Sequence, residues 1–181
     1  MKRYGMVLDP ARCVGCDACM IACTAENKVK VGYHRNWVKR ELKGTFPELS
    51  MQIVAGQCMH CDDPPCVRVC PTGASYINEI GGIVEVDNPK CIGCRYCMLA
   101  CPYDARYFDE EAGVVDKCTF CAHRLAVGKE PACVETCPTK VRVFGDLNDP
   151  ESEVSRLMRT RNTEKKLAYA GTSPNLNYIT D

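Results

Sequence analysis

Lys90-Cys91-Ile92-Gly93-Cys94-Arg95-Tyr96-Cys97-Met98-Leu99-Ala100-Cys101-Pro102 reads C-x2-C-x2-C-x3-C-P, a spacing that lets thiolates wrap an iron-sulfur cube. The same rule returns at Cys13, Cys16, Cys19 and Cys23, with Thr24 where the proline would stand. Two looser blocks complete the set: Cys58, Cys61, Cys66 and Cys70, then Cys118, Cys121, Cys133 and Cys137. All 16 cysteines of the 181 residues fall into these blocks of four.

Composition agrees that something other than apolar burial organises the chain. Aromatic residues are 7% of the total and the mean hydropathy is -0.22, which is little material for a large core. So many cysteines in a short chain indicate either a disulfide framework or metal. Disulfides have no reason to repeat a three-residue step, and zinc pairs are usually spaced more widely than the first and third blocks allow. The formal net charge of +0 counts the thiols as neutral, whereas four oxidised cubanes would bring the loaded protein to about -8. Arg12, Lys90, Arg95 and Lys117 lie beside the blocks and read as solvated surface charges that partly offset this. No basic stripe suggests nucleic acid, and no apolar run approaches the length of a membrane span. Met1-Lys2-Arg3-Tyr4-Gly5 leads into a strand without an apolar signal region, which leaves the compartment open.

The blocks repeat in an A-B-A-B order. Leu8-Asp9-Pro10-Ala11-Arg12-Cys13-Val14-Gly15-Cys16 matches Val86-Asp87-Asn88-Pro89-Lys90-Cys91-Ile92-Gly93-Cys94, and Pro65-Cys66 to Cys70-Pro71-Thr72 matches Pro131-Ala132-Cys133 to Cys137-Pro138-Thr139. Two ferredoxin-like units follow, each with two clusters, in an α+β fold of short strands, hairpins and short helices. Residues 73–77 and 82–86 read as a hairpin turning at Glu79-Ile80-Gly81. That hairpin joins blocks two and three into an inner unit, residues 49–109, around which blocks one and four close as an outer unit, residues 1–48 and 110–146. Sequential pairing, one with two and three with four, remains the alternative. Further strands are predicted at 3–8, 51–55, 105–108, 113–116 and 141–144, with a helix at 17–28. Residues 147–181 hold no cysteine. There Asp149-Pro150-Glu151 reads as a helix start, with Val154, Leu157 and Met158 on one face, to pack on its own domain or to dock a partner.

In two-cluster ferredoxins the fourth cysteine of each run ligates the other cluster. This rule gives four complete sets: Cys13, Cys16, Cys19 and Cys137; Cys23, Cys118, Cys121 and Cys133; Cys58, Cys61, Cys66 and Cys101; Cys70, Cys91, Cys94 and Cys97. Gly15 and Gly93 would permit close approach of backbone to cluster. With every thiolate used, His34, His60 and His123 are not expected as ligands, and Trp37 and the tyrosines read as packing. No nucleophile, general base or phosphate loop stands out, so a non-catalytic role in moving electrons is expected.

Cys70-Pro71-Thr72-Gly73-Ala74, Cys101-Pro102-Tyr103-Asp104-Ala105-Arg106-Tyr107 and Lys117-Cys118-Thr119-Phe120-Cys121-Ala122-His123-Arg124, in this block order, resemble the iron-sulfur subunit of the dimethyl sulfoxide reductase family of molybdoenzymes. The likeness is greatest to the polysulfide, thiosulfate and tetrathionate reductase branch, and it extends to Phe144-Gly145-Asp146-Leu147. It implies four 4Fe-4S clusters in an oxidoreductase subunit of anaerobic respiration. The implied partners are a catalytic subunit with a molybdenum or tungsten bis-pterin cofactor and an integral membrane subunit that handles quinone. The Cys13 set would face the former and the Cys91 set the latter. Some relatives replace the second cysteine of block three and hold a 3Fe-4S cluster; Cys94 is kept here. The resemblance also implies a peripheral location on the periplasmic or outer face by co-export, the cytoplasmic face remaining open. A hydrogenase or other respiratory iron-sulfur subunit, a free polyferredoxin, and a structural zinc protein are the competing readings.

Overall fold

A chain that must turn a thiol toward one centre every third residue cannot run long regular elements there. The computed structural model, which describes residues 1–181, accordingly places one-turn helices inside three of the blocks: α2 (Pro65–Arg68), α3 (Tyr96–Leu99) and α5 (Ala132–Glu135), after the longer α1 (Ala18–Asn27), and with α4 (Ala122–Leu125) between α3 and α5. A Cys-Pro step follows α2, α3 and α5, and proline cannot continue a helix. Thr24 leaves α1 free to run ten residues until Lys28 caps it in the left-handed conformation.

Strands β1 (Tyr4–Leu8), β8 (Arg142–Asp146), β9 (Thr163–Glu164) and β10 (Leu176–Ile179) form a four-stranded sheet in the order β8-β1-β10-β9. β1 pairs antiparallel with β8 and parallel with β10. Three hairpins stand apart from it: β2 (Asn36–Thr45) with β3 (Glu48–Gln57), β4 (Ser75–Ile77) with β5 (Val84–Val86), and β6 (Tyr107–Asp109) with β7 (Val114–Asp116). The predicted strands and the inner hairpin are therefore present. The β2 strand was not predicted, and the segment expected at 51–55 is part of a longer β3. At the base of this hairpin Gly56 lies under the Trp37 indole, so closely that any Cβ would enter the ring. Its far end exposes Leu42, Phe46, Leu49 and Met51.

The boundary drawn at 48/49 falls at the start of β3 and the one at 109/110 at the end of β6, so a hairpin crosses each of them. Residues 147–181 are woven into the molecule. β10 is an inner strand buried along its length, and α6 (Glu153–Thr160) places Val154, Leu157 and Met158 against Val7, Val143 and Ile179. The main core mixes sulfur with hydrocarbon, with Cys58, Cys61, Cys118 and Cys133 packed beside Met6, Leu8, Phe120 and Leu176. No helix is long and apolar enough to cross a membrane.

Candidate metal centres

The repeated sequence folds into repeated turns. In block one Gly15 and Asp17 take φ of 68° and 59°, and in block three Gly93 and Arg95 take 69° and 63°. A side chain at Gly93 would bring its Cβ to 2.6 Å from the Gly113 carbonyl oxygen. After each Cys-Pro step the residue third past the cysteine, Gly73, Asp104 or Lys140, is again left-handed, at 66°, 50° and 54°. This bend turns backbone N–H groups toward the preceding sulfur: Ser75 N–H donates to Cys70 Sγ at 3.4 Å and Val141 N–H to Cys137 Sγ at 3.3 Å. Burial raises the Cys70 thiol, yet the Ser75 N–H and the Thr72 hydroxyl outweigh it and hold the group below its ordinary value. Cys137 is lowered in the same way, against burial, by the Val141 N–H and the Thr139 hydroxyl. The turns are built to receive a charged sulfur.

Cys70, Cys91, Cys94 and Cys97 line one small cavity, together with Arg106. Cys23, Cys118, Cys121 and Cys133 line another. The thiols bearing on Cys61 are Cys58, Cys66 and Cys101, and those on Cys19 are Cys137 and Cys13. Cys16 is exposed at the edge of its turn. All sixteen cysteines are free thiols. No three His, Cys, Asp or Glu side chains converge as a single-ion site would require. Burial pushes the Cys23 thiol up to about 12, with Cys133 and Cys121 beside it, and Cys61 likewise to about 12. Cations bound at these sulfurs would reverse that preference, since a coordinating thiol is deprotonated outright.

The interior also holds three cations that are almost wholly buried: Arg106, Lys117 and Arg142, 5%, 0% and 2% exposed. No Asp or Glu is buried with them. Arg106 Nη2 donates to Cys66 Sγ at 2.9 Å and to Ser75 Oγ at 2.7 Å. Its Nη1 has no partner. Lys117 Nζ donates to the carbonyls of Val84 and Cys118, and Arg142 Nη1 donates to Gln57 Oε1 at 2.5 Å. Buried cations without buried anions are costly, so the donor chemistry and the charge of this interior fit a group that is anionic when held by four thiolates. Lys117, read from the sequence as a solvated charge, is in fact enclosed because its aliphatic stem runs inward between β5 and block four. Arg12 and Lys90, which precede the first cysteines of blocks one and three, are exposed, whereas Gln57 before block two is buried like Lys117. Arg106 and Arg142 were not singled out by the sequence.

Two of the three histidines have structural partners. His60 is fully buried, stacked on Phe120 with 3.7 Å between ring centroids, and its Nδ1 accepts from Val84 N–H at 3.2 Å. His123 Nε2 lies 2.8 Å from Glu26 Oε1.

Residues 49–147 match a family model described as a 4Fe-4S dicluster domain, and residues 12–74 match a second with the same description. The two matches overlap across block two, so they do not sort the blocks into pairs. The chain is 47% identical over 176 residues to Protein NrfC of Escherichia coli (strain K12), covering 96% of this chain and 79% of that one. It is 46% identical over 178 residues to a polysulfide reductase chain of Wolinella succinogenes, covering 97% and 93%. A putative dimethyl sulfoxide reductase iron-sulfur subunit of Halobacterium salinarum is 41% identical over 209 residues, covering 99% and 79%. The chain belongs to the iron-sulfur subunits of the dimethyl sulfoxide reductase family. Two dicluster domains give this iron-sulfur subunit four 4Fe-4S clusters, for which its sixteen cysteines supply a full complement of thiolates.

Proposed function

We propose that the chain is a non-catalytic wire, carrying single electrons along four clusters between a quinone-linked membrane subunit and a molybdenum or tungsten bis-pterin catalytic subunit. Site 1 would use Cys13, Cys16, Cys19 and Cys137; site 2, Cys23, Cys118, Cys121 and Cys133; site 3, Cys58, Cys61, Cys66 and Cys101; site 4, Cys70, Cys91, Cys94 and Cys97. The packing of α1 on α5 and of α2 on α3 supports this nested allocation over a sequential one.

The observation that carries the reading is the gradient of burial along that order. The four cysteines of site 2 are buried, as are three of site 3, whereas Cys16 of site 1 and Cys94 of site 4 are exposed. Beside those two lie exposed apolar side chains, Val14 and Ile21 at one end, Ile92, Tyr96 and Leu99 at the other. Two accessible ends and a dry middle suit a conductor between two partners. In this reading the site 1 end meets the catalytic subunit and the site 4 end the membrane subunit. The location is peripheral, on the face to which the partner is exported. The names of the polysulfide and tetrathionate reductase relatives favour a sulfur-compound acceptor over a hydrogenase partner.

Cys94→Ser in the assembled complex tests the order. Quinone-linked turnover is expected to fall while turnover from an artificial donor acting on the catalytic subunit persists. Equal loss of both would refute the assigned order, and a native complex without a pterin-bearing subunit would refute the wire's destination.

A further inference from the structure

The three buried cations are distributed in a regular way. Arg142 bears on Cys133 of site 2 and on Cys19 of site 1, whose sulfur lies 3.9 Å from its Nη2. Lys117 bears on Cys58 and Cys66 of site 3 and on Cys118 of site 2, and its Nζ is held by carbonyls from β5 and from block four. Arg106 donates to Cys66 of site 3 and lines the cavity of site 4. Each junction of the order 1-2-3-4 thus contains one enclosed cation, and none contains a carboxylate.

We infer that Arg142, Lys117 and Arg106 are positioning charges of the conductor, one between each pair of successive clusters, each raising the reduction potentials of both neighbours. The inference rests on the four-site allocation proposed above. A guanidinium remains charged at any accessible pH. Burial disfavours the Lys117 ammonium, whereas anionic sulfur at Cys58, Cys118 and Cys66 favours it. In a buried setting a cation acts at full strength on sulfur and iron close by and weakly on more distant sites. When one electron leaves a cluster and reduces its neighbour, no proton need accompany it: the cation between them already offsets the added charge at either position. It also lowers the repulsion between two reduced neighbours, so electrons can follow one another.

The test is a potentiometric titration of the loaded complex followed by electron paramagnetic resonance. Arg142→Gln is expected to move the clusters of sites 1 and 2 to more negative potentials, Lys117→Met those of sites 2 and 3, and Arg106→Gln those of sites 3 and 4. In each affected cluster the reduced-to-oxidised ratio at fixed potential should fall about tenfold, equivalent to about 59 mV for a one-electron couple. A shift at a single cluster, at all four alike, or at none would overturn the inference. Should a glutamine variant fail to load its clusters, Arg106→Lys and Arg142→Lys decide the matter. Full loading and unchanged potentials support a role for charge, and cluster loss in these variants too would reduce the side chains to packing. Iron and acid-labile sulfide in the wild-type chain check separately that all four sites are filled. Fewer than four clusters per chain would defeat that reading, whereas four clusters with the wrong pattern of shifts would defeat only this inference.

Discussion

Lys30 reaches from the loop after α1 to Asp109 at 2.9 Å and to Glu111 at 3.0 Å, tying block one to the β6–β7 hairpin. The hydrogen bond from Lys30, followed by the N–H of Ala112, holds the Asp109 carboxyl below its usual value. A carboxyl lowered in the folded state adds stability above its unfolded pKa of about 3.9 and loses it as pH falls through the lower folded value. Asp109→Asn should therefore speed hydrogen exchange in residues 109–112 near neutrality. The difference from wild type should narrow once the pH drops below about 4. At this scale the cysteines were legible because a metal dictates their spacing. The cations were less so, although both arginines stand fifth after a Cys-Pro cysteine, Cys101 for Arg106 and Cys137 for Arg142. That register is a usable signal: the same bend that aims N–H groups at the sulfur also sends the fifth side chain inward.

Among the elements, α6 shows what local pattern conveys and where it stops. Its apolar face was readable, but the helix begins at Glu153 with Ser152 as the cap, accepting from Ser155 N–H at 3.3 Å. Asp149 and Pro150 form a turn ahead of it, fixed by Glu151 N–H donating to Asp149 Oδ1 at 2.9 Å. Val154 is fully enclosed between β8 and its neighbours. Val154→Ala removes two buried methyl groups and should cost about 2 kcal/mol, seen as a lowered thermal midpoint without loss of iron. β2 is hard to read locally because Lys39, Arg40, Glu41 and Lys43 give it no apolar alternation. β10 is equally hidden because Asn175 and Asn177 look like loop residues. Asn175 instead donates to the His60 carbonyl and to Asp62 Oδ1, each at 2.7 Å, and Asn177 to Met158. Such tertiary partners are invisible to a local pattern.

For the molecule as a whole, charge and fold are one problem. Three enclosed cations and no enclosed carboxylate leave the chain without clusters carrying a penalty of several kcal/mol per ion. Stripping the iron with a chelator should collapse the ordered sheet signal in circular dichroism. Lys117→Met should retain more of that signal than wild type after the same treatment, because it has one fewer unpaired charge to bury. The two-unit character was legible in the repeats, as were the strands of the β6–β7 hairpin, whereas the β2–β3 hairpin that crosses the boundary drawn at 48/49 was not, because β2 lacks apolar alternation.

The arrangement of the four-stranded sheet also sets a timetable for synthesis. β1 leaves the ribosome well ahead of both strands that flank it, β8 and β10, which lie beyond residue 141. Until residue 179 has emerged, β1 waits with at least one edge open. Contacts this distant in sequence are slow to close. Block one, which follows β1 directly, is thus translated long before its surroundings exist, and its thiols stay uncovered by the four-stranded sheet until β10 is made.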